Sequence, residues 1–105
     1  MTTFDEWEKE FEARYKHDQE LRFKVTARRN RLLGLWAAER MGLSGDAAEA
    51  YAKSVVAAEF DGGDNHVVDK IVADLAGKGH SATADQVKFE LEHFAAQARD
   101  QLMAE

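Results

Sequence analysis

Apolar residues recur along most of the chain at intervals of three and four, and no stretch alternates with period two for long enough to suggest a strand. There is no proline, so glycine is the main punctuation. Six of the seven glycines fall in three clusters, Gly42 with Gly45, Gly62 with Gly63, and Gly77 with Gly79. They divide the chain into four segments that each read as helix. The fold class is all-α, a small four-helix bundle with a long first helix whose N-terminal part projects or is disordered.

The first segment runs from about Thr3 to Met41, interrupted only by Gly34, which tight helix packing explains. Thr3 and Glu6 have the spacing of a capping box. The second begins near Ser44 or Asp46, with Asp46 and Glu49 as a cap, and buries Ala48, Tyr51, Ala52 and Val55 before ending near Phe60. The third begins at Asp64, buries Val67, Val68, Ile71, Val72 and Leu75, and stops at Gly77. The fourth opens on a capping box of Thr83 and Gln86 and buries Val87, Leu91, Phe94, Ala98 and Leu102, leaving Phe89 off that stripe.

A straight helix over residues 3–41 extends about 58 Å at about 1.5 Å per residue. A compact domain of this length has a radius of gyration of about 13 Å, so one end cannot be packed. The stripe Leu21, Val25, Leu32 and Trp36 belongs to the bundle. The earlier stripe, Phe4, Trp7, Phe11 and Tyr15, is cut off from it by the polar run Lys16-His17-Asp18-Gln19-Glu20, and at 100° per residue Asp18 takes the place of the next apolar anchor. Two segments follow: residues 1–19, an amphipathic partner-binding element, and residues 20–105, a four-helix globular domain. The stripe folds back on the bundle, forms a solvated and partly frayed helix end, or sits in a partner's groove, and four of ten aromatics beyond the bundle's reach favour the groove. A helix of about 15 residues is marginal alone in water, so its ordering is expected on docking.

Composition narrows the chemistry. With 105 residues, 45% hydrophobic and 32% charged, the chain is one globular domain with little core to spare for a deep pocket. It has no cysteine, no secretory leader and no membrane-length apolar run, so a soluble, unexported protein is expected. The four histidines, His17, His66, His80 and His93, lack metal-ligand spacing, and no cleft for paired carboxylates is evident, so no metal site and no enzyme is expected. A net charge of −6 argues against nucleic acid. Charge is segregated: residues 1–20 carry seven acids and three bases, whereas residues 21–31 carry five bases and no acid. That arrangement suits a protein surface of mixed charge. Arg28, Arg29 and Arg31 could hold a phosphate with Trp36 as a stacking face, although a solvated helix face with Trp36 in the core accounts for the same residues.

Met1-Thr2-Thr3-Phe4-Asp5, His17-Asp18 before Glu20-Leu21, the run Ala27-Arg28-Arg29-Asn30-Arg31-Leu32-Leu33-Gly34-Leu35-Trp36-Ala37-Ala38, and Tyr51-Ala52 with Val55-Val56 resemble the small zeta subunits of alphaproteobacterial F-type ATP synthases. The likeness is densest over residues 1–60 and faint in the fourth helix. It implies a regulatory subunit, cytoplasmic and peripheral to the inner membrane through the synthase. Its N-terminal helix would lodge at an interface between alpha and beta subunits near the gamma shaft and oppose rotation in the hydrolytic direction, with no direct membrane insertion. Phe4, Trp7, Phe11 and Tyr15 would be its anchors, and Glu8, Lys9, Glu12 and Arg14 its polar contacts. A monomer when free and no required cofactor are expected, and the resemblance also implies weak ATP or ADP binding on Arg28, Arg29, Arg31 and Trp36. The alternative is a nucleotide-sensing module with little inhibitory activity. The sequence departs from the family pattern at Trp7, where a basic residue is usual, and at Tyr15-Lys16, where Phe-Ala is usual.

Overall fold

The computed structural model describes residues 3–105, with side chains from Asp5 onward, so the Thr3–Glu6 cap and the Phe4 anchor lie outside the described residues. Three α-helices follow one another: α1 (Thr3–Arg40), α2 (Gly45–Gly77) and α3 (Ala84–Ala104). The all-α class holds, and among the described residues there is no strand, but the four-helix bundle does not form. The reason lies at Gly62-Gly63. Only Gly63 leaves helical geometry, at φ 71° and ψ −160°, a conformation open to glycine alone. The chain resumes its helix without a linker, so the second and third segments form one kinked α2.

The ends of the helices follow glycine more closely than the middle does. After α1, Leu43 N–H donates to Ala38 O at 2.9 Å and Gly42 N–H to Glu39 O at 3.0 Å, with Gly42 at φ 79°. This paired closure satisfies carbonyls that the helix leaves open. It recurs after α2, where His80 N–H donates to Leu75 O and Gly79 N–H to Ala76 O, so Gly79 rather than Gly77 takes the left-handed position. Ser44 caps α2 through its backbone alone, and the expected Asp46–Glu49 cap is not made. Thr83 and Gln86 do form the reciprocal capping box of α3.

The core is built from Leu33 and Ala37 of α1, Val55, Ala58, Val67, Val68, Ile71 and Leu75 of α2, and Val87 and Leu91 of α3. The stripes expected in the second to fourth segments largely line it, with Tyr51, Val72 and Phe94 half-buried against it. The stripe expected on α1 does not. Leu21 is exposed and Val25, Leu32 and Trp36 are only half-buried, whereas Asn30, Leu33, Gly34, Ala37 and Ala38 face inward. Small residues win that face because α2 crosses close to it: a Cβ on Gly34 would stand 2.7 Å from the Ala52 Cα.

Every described side chain from Asp5 to Lys24 is exposed, and Val25 is the first along α1 to be half-buried. The molecule measures 66 × 25 × 20 Å, with a radius of gyration of 17.4 Å against the ~13 Å of a compact domain this long. The excess is the free half of α1. No helix among the described residues is long and apolar enough to cross a membrane.

Candidate partner-binding arm

The free half of α1 is an uninterrupted continuation of a helix whose other half is packed. Nucleation, the costly step for a short helix, is therefore supplied from within the domain. Along it, Trp7, Phe11 and Tyr15 succeed one another at intervals of four and share a face. Each is 60% exposed, and the Trp7 and Phe11 rings stack with centroids 5.9 Å apart and planes 24° from parallel. Large contiguous apolar patches are rare on the surface of monomeric proteins. Glu8, Glu12 and Arg14 are exposed on the same turns and make no ion pair among the described residues. Such groups remain available to an outside partner.

The basic block beyond the arm has a different fate. Arg28 pairs with Glu105 at 2.7 Å, and Arg31 pairs with Glu49 at 2.9 Å. Arg29, only 8% exposed, reaches Asp64 at 2.7 Å and Glu59 at 3.1 Å, and donates from Nε to Asn30 Oδ1 at 3.0 Å. Asn30 Nδ2 completes the network by donating to Glu59 at 2.8 Å. Burial, and then hydrogen bonding with Asp64, push the Glu59 carboxyl above its ordinary range. The Arg29 guanidinium holds Asp64 below its own. This cluster ties α1 to both sides of the Gly63 break. A buried guanidinium satisfied by two carboxylates is a structural fastening.

Trp36 lies elsewhere. The Arg40 guanidinium covers its ring at 4.5 Å, and the indole lines a cavity of about 590 Å³ with Leu75, His80, Ser81, Gln86 and Phe89. Thus Arg28, Arg29, Arg31 and Trp36 are not brought to one site, and the three guanidinium groups face carboxylates of their own chain. Sequence reasoning treats the five bases of residues 21–31 as one set and misses the split between the engaged three and Arg22 with Lys24, which make no ion pair among the described residues. No local signal could have revealed it. Two of the engaging carboxylates, Glu49 and Asp64, lie 18 and 35 residues away from their arginines.

Among the described residues, the molecule is a small packed helical domain that displays an aromatic, charged arm. The chain belongs to the family described as ATPase inhibitor subunit zeta, whose model matches residues 1–101. A solved solution NMR structure is similar to it at 44% identity and a TM-score of 0.70, over 80% of this chain and 96% of that one. No curated protein matches it. Family membership carries the role of an inhibitory regulator, is consistent with a non-enzyme, and implies association with the ATP synthase.

Proposed function

We propose that this chain restrains ATP hydrolysis by inserting residues 1–19, as a helix, at an alpha/beta interface of the catalytic head near the gamma shaft, while residues 20–105 remain outside. Phe4, Trp7, Phe11 and Tyr15 are the apolar anchors of that insertion, and Glu8, Glu12 and Arg14 its polar contacts. Inhibition is steric: a wedge at a moving interface blocks the hydrolytic rotation without bond chemistry from this chain. The protein is thereby held at the inner membrane through the synthase.

The single observation that carries this reading is the exposed row of Trp7, Phe11 and Tyr15 on a helix already continuous with the bundle. Burying Trp7 and Phe11 supplies about 1.5–3 kcal/mol each. A segment disordered beforehand would forfeit about 2–5 kcal/mol of that in ordering, and continuity with α1 lowers this cost. Adenine nucleotide binding on Arg28, Arg29, Arg31 and Trp36 has no comparable support.

The test is removal of residues 1–19. The shortened protein keeps its helical circular dichroism and cooperative unfolding, and loses inhibition of ATP hydrolysis by the purified synthase. Undiminished inhibition by the shortened, folded protein overturns the wedge.

A further inference from the structure

The aromatic row of the arm leads directly into a cleft at its root. From Trp7, steps of four, four, three, four and three residues pass through Phe11, Tyr15, Asp18 and Arg22 to Val25, all on one face of α1. Asp18, Leu21, Arg22 and Val25 form one wall of a cavity of about 320 Å³, and Arg99 and Met103 of α3 form the other. Met103 is 81% exposed and Leu21 40%. The two cations facing each other across this cleft, Arg22 and Arg99, make no ion pair among the described residues. Lys24, also without an ion pair among the described residues, follows on α1. The cleft therefore holds two guanidinium groups against the single carboxylate of Asp18, a local excess of one positive charge in a protein whose net charge is −6.

We infer that the cleft between Leu21, Arg22, Val25, Arg99 and Met103 is a second docking surface for the partner that receives the arm. Its occupant is an acidic segment of that partner, with one apolar side chain seated between Val25 and Met103 and carboxylates against Arg22 and Arg99. The inference rests on the reading of the arm as an inserted wedge. Two observations choose the occupant. A surface that covers the aromatic row meets the cleft within one turn of Tyr15, so both belong to one continuous footprint. Exposed, unpaired guanidinium groups flanking apolar side chains favour a partner with carboxylates at the rim, where complementary charge speeds encounter.

Two double variants separate this inference from the arm reading, each in the full chain and each measured by binding kinetics against the purified catalytic head at low and high salt. Arg22→Glu with Arg99→Glu is expected to slow association roughly tenfold and to weaken its salt dependence. Trp7→Ser with Phe11→Ser is expected to abolish inhibition. All four positions are solvent-exposed, so both proteins fold. An arm variant that loses inhibition beside a root variant with unchanged association overturns the docking cleft and leaves the wedge standing. If neither variant is impaired, the wedge falls and the cleft with it. Retention of the native chain on anionic phosphatidylglycerol vesicles, lost in the root variant, overturns the protein occupant in favour of a lipid one.

Discussion

The two halves of α1 use the same helix for opposite ends. In the packed half, the inward face carries Leu33, Gly34, Ala37 and Ala38, the polar groups of Arg29 and Asn30 are satisfied, and the indole of Trp36 is kept to the flank. In the free half, the rings of Trp7, Phe11, Tyr15 and Phe23 stand in solvent, and Glu8, Glu12 and Arg14 make no ion pair among the described residues. Close approach between helices selects small residues, because every added carbon pushes the neighbour away. Display to a partner selects large rings, because affinity concentrates in a few deep anchors. Side-chain size, more than hydropathy, distinguishes the surface that builds this domain from the one it offers.

That contrast can be broken most forcefully from the packed side. Leu33→Ala is expected to cost about 2–5 kcal/mol in urea unfolding, a large share of the 5–15 kcal/mol typical of small domains. Trp7→Ala, by contrast, is expected to leave stability within about 0.5 kcal/mol while weakening inhibition by about 1.5–3 kcal/mol, roughly a 10- to 150-fold loss in affinity. If the Trp7 variant loses stability as Leu33→Ala does, the two halves do not differ as described. Gly34→Ala probes the close crossing itself: a Cβ 2.7 Å from backbone and 3.2 Å from Val55 Cγ2 must displace α2. Overpacking of about 1–3 kcal/mol exceeds the helix-propensity gain of about 1 kcal/mol. The melting temperature is expected to fall by several degrees, and a rise would show that the crossing is loose.

The smallest effect is one of pH. Because the folded state raises the Glu59 carboxyl above its ordinary value, it holds that proton more tightly than the unfolded chain does. Its contribution is full below the ordinary glutamate value of about 4.3 and is lost as pH rises through the raised folded value. Asp64 runs the other way, contributing above the ordinary aspartate value of about 3.9 and losing that contribution as pH falls through its lowered one. Glu59→Gln keeps an acceptor for Asn30 and removes the titration. Between about pH 4 and pH 7 its unfolding midpoint is expected to decline less than that of the native protein. An unaltered slope would show that the proton on Glu59 is not coupled to folding.

Much of the architecture was legible in local pattern. The aromatic row announced a helix outside the core because the polar residues 16–20 cut it from the next apolar anchors, and the length of the segment exceeded any compact domain. The segment ends predicted at Met41 and Gly77 lay within one residue of the helix boundaries, and the Thr83–Gln86 cap formed as its spacing required. What escaped were features that depend on size or distance. Leu32 and Trp36 carry far more apolar surface than Gly34 and Ala37, yet the smaller pair faces α2. Gly62-Gly63 reads as a terminator, but a helix resumes wherever the next residue can reach helical angles, and Asp64 does. The pairing of Arg29 with Glu59 and Asp64 exists only once α2 lies across α1, which no spacing along the chain encodes.

Because α1 passes from tip to root with no kink, arm and bundle must turn together. A sideways push at Asp5 acts through a lever of about 30 Å before it meets the packed part of the helix. The resulting torque is resisted where Gly34 seats against Ala52 and where Arg29 grips Glu59 and Asp64. Whatever clamps the tip therefore also sets the heading of the entire domain, like a hand closing on the handle of a mallet.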